Sequence, residues 1–164
     1  MVKNLLALLL LSLITVGGCK SLKAPSDSDV LGIKIGMNKE DAAKRLNEIG
    51  KLEKEESKQQ EVWALNDDPH YSHLIVGFGK EDQEVRYVTV KARENGSRVR
   101  YTDVLDTGKA QQKISASNFK YIQEIPGGVF TSGYLKIASG TDANYLNYFS
   151  LKDSDSSEEE DDDE

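Results

Sequence analysis

Cys19 is the one thiol in a chain of 164 residues, and His70 and His73 are its two imidazoles. With a single cysteine no disulfide can close within the chain, so a folded body must stand on its apolar core alone. Cys19 follows Val16-Gly17-Gly18, and upstream lie Lys3 and an apolar run over 5–16, broken by Ser12 and Thr15. That run is too short to cross a bilayer, which takes about 20 residues, and fits the apolar part of a secretory leader ending in small residues. His70 and His73, with Asp67 and Asp68, are weak candidates for a metal site, since imidazole and carboxylate suit zinc or copper. Side chains three apart on a turn running into a strand need not face the same way, so a merely polar turn is the plainer reading. Neither a phosphate-binding Gly-rich loop nor a Gly-x-Ser-x-Gly nucleophile elbow occurs. Carboxylates are many, yet no pair is set in apolar surroundings that would tune it for proton transfer. The expectation is a chain without catalysis, cofactor or firm metal site.

A basic cluster offers more. Asn95-Gly96 is a strong two-residue hairpin signal, because both residues tolerate positive φ. Folding 98–102 back beside 91–94 would bring Lys91, Arg93, Arg98 and Arg100 onto one sheet face. Such a face could bind phospholipid head groups, an acidic partner surface or the chain's own acidic end. The plain alternative is a solvated edge whose long side chains splay apart. No nucleic-acid partner is expected.

The elements that would carry these residues are mostly strands. One helix is marked over 38–50: Asn38 as N-cap, Glu40 and Asp41 in the first turn, Ala42, Ala43, Leu46 and Ile49 on one face, and Gly50 as a left-handed C-terminal cap. The charged stretch 51–60 reads as a loop. Alternating or aromatic-rich runs at 61–65, 72–78, 84–92, 118–125, 131–138 and 145–151 read as strands, separated by turn residues such as Asn66 to Pro69 and Pro126-Gly127-Gly128. Residues 106–114 are a weak helix candidate. The predicted class is α+β, one or two short helices packed on an antiparallel sheet, in an order that admits a tandem helix-plus-three-strand arrangement. Trp63 and Phe78 are expected to anchor the core.

Composition divides the chain. Residues 153–164 hold nine acidic residues and three serines, and taking those charges from the total of −7 leaves +2 on the rest. Blocks of like charge repel themselves, so 153–164 reads as a solvated acidic tail. The division expected is a leader (1–18), a lipidated cysteine with a polar tether (19–29), one binding domain (30–152) and the tail.

Two resemblances sharpen this. Val16-Gly17-Gly18-Cys19 resembles the bacterial lipobox, which implies cleavage before Cys19 and a diacylglycerol on its thiol. The membrane would then be a partner through that anchor, on the periplasmic face of the outer membrane rather than the inner, since Lys20 follows the cysteine. Gly36-Met37-Asn38-Lys39-Glu40-Asp41-Ala42, with Leu46 and Gly50 behind and Trp63 on the next strand, resembles the SmpA/OmlA lipoprotein family over roughly residues 31 to 92. That family includes the small lipoprotein subunit of the outer-membrane β-barrel assembly machinery. The resemblance implies a fold like that of β-lactamase-inhibitor proteins and a binding or scaffolding role with an envelope protein partner. Two other readings remain: an inhibitor-like or ligand-sensing module acting on an envelope enzyme, and a small metal- or lipid-handling protein.

Overall fold

The computed structural model describes residues 29–56, 59–128 and 132–154. Cys19, the tether up to residue 28 and the tail beyond 154 lie outside them, while Asp29 and Asp153, read from sequence as tether and tail, belong to strands. A short hairpin, β1 (Asp29–Val30) and β2 (Ile33–Lys34), leads into the helix α1 (Lys39–Ile49). Asn38 caps it as its sequence implies: its side-chain oxygen accepts the Asp41 N–H at 2.9 Å, and its amide donates to the Asp41 carboxylate at 2.9 Å. Ala42 and Leu46 are fully buried, while the rest of the helix is largely polar.

The helix does not end in a left-handed cap. Gly50 is extended, with φ −159 and ψ −173, and is the first residue of β3 (Gly50–Glu56). A Cβ at Gly50 would meet the Ala64 carbonyl oxygen at 2.6 Å, so this glycine serves close strand approach rather than a turn. β3 also replaces much of the loop expected over 51–60. Its Lys- and Glu-rich sequence is that of an edge strand, paired on one side only.

Six further strands match predicted runs in place, if not at every end: β4 (Gln60–Leu65), β5 (Tyr71–Phe78), β6 (Val85–Ala92), β8 (Asn118–Ile125), β9 (Tyr134–Gly140) and β10 (Tyr148–Asp153). The weak helix at 106–114 is absent. Asp106 to Ala110 form a turn, and β7 (Gln111–Ser115) follows. The other helical piece among the described residues is a single 3₁₀ turn, Tyr101–Asp103.

The expected α+β class is therefore overturned. The described chain is 52% strand and 12% helix, and it forms one eight-stranded antiparallel sheet beside the two-stranded hairpin. The sheet order is β3-β4-β5-β6-β10-β9-β8-β7. Two four-stranded meanders thus meet at their last strands, β6 and β10, where Thr89 pairs with Ser150 and their hydroxyls lie 2.7 Å apart. The first meander is preceded by α1. The second is preceded by the crossover from Arg93 to Ala110, which carries no α-helix.

Among the described residues the covering elements lie against one sheet face. Register places Trp63, Leu74, Val90, Phe149 and Ala138 in one transverse row, and Glu61, Val76, Val88, Leu151, Lys136 and Gln123 in the next. All are buried, and the apolar ones form one cluster with Val30, Ile33, Ala42 and Leu46, and with Val99 and Tyr101 from the crossover. Trp63 and Phe78 are 4% and 5% exposed, core residues as their alternation implied. The buried polar groups are matched: Glu61 accepts from Trp63 Nε1 at 3.0 Å and pairs with Lys39 at 2.9 Å, and Gln123 accepts the Asp106 N–H at 2.8 Å.

Candidate functional site

The expected basic hairpin does not form. Gly96 N–H donates to the Arg93 carbonyl at 3.2 Å, closing a turn, but neither Asn95 nor Gly96 has positive φ. The type I′ geometry that returns a strand on itself is therefore missing. β6 takes β10 as its partner instead, with Lys91 opposite Tyr148. The reason is burial. That pairing sets Val88 and Val90 beside Leu151 and Phe149, and it frees Val99 and Tyr101 to enter the core.

The four cations consequently part company. Arg93 is half-buried and donates to three backbone carbonyls, those of Asp68 (3.0 Å), Tyr71 (3.1 Å) and Leu65 (3.4 Å). It is a structural clasp on the β4–β5 connection. Arg98 pairs with Asp142 at 2.9 Å and lies 3.8 Å over the Tyr145 ring. The Asn144 N–H and the Arg98 guanidinium hold the Asp142 carboxyl below the usual carboxylate range. Arg100 is exposed and bridges Tyr145. Only Lys91 stays on the open sheet face. The histidines also separate: His70 Nδ1 lies 3.2 Å from the Ser97 carbonyl, and His73 Nε2 lies 3.2 Å from Glu53. Among the described residues no group of three or more His, Cys, Asp or Glu side chains is placed to hold a metal.

Lys91 nevertheless belongs to an ordered surface. Strand register runs one transverse row of the open face through Lys51, Ala64, His73, Lys91, Tyr148, Ser139, Lys120 and Lys113. The adjacent row is Val62, Ile75, Thr89, Ser150, Ile137 and Ile122, each part-exposed. Eight strands at about 4.8 Å spacing give the lysine row a span of roughly 34 Å. Tyr148 is 43% exposed at the centre of the lysine row, on the central strand pair. No α1, hairpin or crossover residue of the core cluster lies on this side. Chemically it is two aliphatic patches, Val62 with Ile75 and Ile137 with Ile122, parted by the Thr89–Ser150 hydroxyl pair and bordered by the lysine row.

This surface was not visible in sequence. Lys51 sits in a stretch that reads as loop, and Lys113 in one that reads as weak helix. The alternation around Ile75, Ile137 and Ile122 was the available signal, since each stands on the face opposite its buried neighbours.

Among the described residues no helix is long and apolar enough to cross a membrane. Compared with known proteins, the chain matches no family model, no curated protein and no solved structure.

Proposed function

We propose that this chain is a non-catalytic binding module of the bacterial envelope, anchored by a lipid on Cys19, which offers the open face of its sheet to an envelope protein partner. The observation that carries the reading is the row with Val62, Ile75, Ile137 and Ile122 beside the lysine row, uncovered among the described residues while the opposite face buries the core. Part-exposed apolar side chains grouped on one sheet face, here on either side of Thr89 and Ser150, are a mark of a protein contact. The likeness to SmpA/OmlA lipoproteins supports the same role. Its Gly-Met-Asn segment has a mechanical part here: Gly36, at φ +78, donates to the Val85 carbonyl, Met37 accepts from Val85 N–H, and Asn38 starts the helix. The signature residues thus latch the helix start to β6, the strand at the middle of the binding face. An outer-membrane assembly component is the partner this likeness favours.

A photo-crosslinking residue at Ile137, in the full chain in cells, should capture one envelope protein. The same residue at Glu48, on the exposed side of α1, should not. Ile75→Glu should abolish the Ile137 adduct with the protein still folded. Adducts from Glu48 and none from Ile137 would move the binding surface to the helix side. Cys19→Ser should release the chain from membranes, and labelled fatty acid should enter only the unchanged protein. Export of the unchanged chain without label would remove the anchor from this reading.

A further inference from the structure

The second meander lacks the helix that covers the first, and the space left holds a half-open cleft of about 580 Å³. Its walls are the second half of the crossover, the paired strands β7 and β8, and the β9–β10 turn. Gln112 and Tyr121 are opposite each other and continue the buried row of Phe149 and Ala138 outward, to Gln112, which is exposed. Two half-buried tyrosines, Tyr121 and Tyr145, face this space beside the buried Tyr101, together with Gln112, Asn144 and Arg100.

The walls are fixed before any ligand arrives. The Tyr101 hydroxyl donates to the Asp142 carbonyl at 3.0 Å, and its ring lies 4.5 Å from that of Tyr121 at a 44° tilt. Asp142 Oδ1 accepts from Asn144 N–H at 2.8 Å and Tyr145 N–H at 3.2 Å, which sets the turn. Such preorganisation lowers the ordering cost of binding. Arg98 is engaged with Asp142, the Asp103 carboxylate accepts the backbone N–H of Arg100 at 2.8 Å, and the Arg100 guanidinium is the one charged group among the lining residues. A polyanion or a metal ion would find no concentrated counter-charge. What remains is aromatic ring surface edged by amides and hydroxyls, each amide offering a donor and an acceptor side by side.

We propose that this cleft binds a neutral saccharide. A pyranose ring has a C–H face that lies on tyrosine and a rim of vicinal hydroxyls that pair with the Gln112 and Asn144 amides. The volume falls within the range of about 300–1,000 Å³ for ligand sites and suits a short oligosaccharide. This site is on the covered side of the sheet, so it stands or falls independently of the open face.

The test is an amide NMR titration of the purified full chain with chitotriose, maltotriose and cellotriose, and with inorganic phosphate as the anionic control. At least one sugar should shift the amides of Gln112, Tyr121 and Asn144 and leave those of Trp63 and Ile75 in place. Gln112→Ala changes an exposed side chain and should weaken that sugar about three- to ten-fold, the worth of one hydrogen bond, with an unaltered melting temperature. Tyr121→Ala should weaken it about ten-fold or more. The proposal is overturned if no sugar moves these amides at about 10 mM, a limit for even weak affinity. It is equally overturned if phosphate alone moves them, or if Gln112→Ala titrates like the unchanged chain.

Discussion

Trp63 carries a polar chain as well as an apolar load. Its indole N–H is held by Glu61, Glu61 by Lys39, and the Lys39 ammonium sits 4.9 Å over the Phe78 ring. Trp63→Ala should therefore cost about 3–5 kcal/mol, from lost burial and from a Glu61 carboxylate deprived of its donor. Urea denaturation followed by circular dichroism measures it, and a loss under about 1 kcal/mol would mean the indole is not a core anchor. The arginines separate in the same experiment. Arg93→Ala strips three carbonyls of a charged donor and should cost about 1.5–3 kcal/mol, whereas Arg100→Ala, at an exposed site, should stay within about 0.5 kcal/mol. Equal effects would mean that the Arg93 clasp contributes nothing to stability. Burial pushes the Tyr101 hydroxyl up to about 12, aided by Tyr121 and Asp142, and burial raises Tyr71 as well. For a raised folded value the stability is complete below the ordinary tyrosine pKa of about 10 and is lost as pH rises through the folded one. Stability should thus fall between about pH 10 and 12, with a shallower fall in Tyr101→Phe.

At the scale of elements, the physics that sequence carries locally is what could be read. Asn38, Asp41, Ala42 and Leu46 specify α1 through capping and spacing, and the helix is there. Six strands announced themselves by alternation, because one side of each is buried and the other wet. β3 and β7 did not, since both are edges: β3 is charged on both faces apart from Gly50 and the exposed Leu52, and all of β7 is exposed. The Asn95-Gly96 signal failed for a different reason. A local turn preference yields to a long-range pairing that buries Phe149 and Leu151 against Val90 and Val88. Only register, which sequence does not state, brings Lys51, Lys91, Lys113 and Lys120 into one row, so the surface proposed for binding was hidden with it. Gly50 tests the helix-to-strand junction. A Cβ there would strike backbone, the Ala64 carbonyl, so Gly50→Ala should cost about 1–3 kcal/mol and expose the β3 amides to exchange before those of β5. Unchanged protection in β3 would mean that the edge tolerates the displacement.

For the molecule as a whole, the decisive feature is the seam. Each meander closes on itself through neighbouring strands, but the two meet only where β6 pairs with β10. Those strands are separated by the whole second meander, so their contacts form only after a long loop is closed. The seam is also where burial is most complete: Val88, Val90, Phe149 and Leu151 are all at 0% exposure. Without β10, the first meander would present an open β6 edge with two bare valines beside it. The halves should therefore stand or fall together, and Phe149→Ala offers the probe. The substitution removes the largest of the fully buried side chains and should cost about 3–5 kcal/mol. Hydrogen exchange reads how that loss spreads. If the sheet is one cooperative unit, the amides of β4 and β8, three strands out from the seam on either side at most, should lose protection by the same free energy. A loss confined to β8–β10, with β4 and β5 as protected as before, would mean that the first meander is stable alone, and that the open face is assembled from two independent halves.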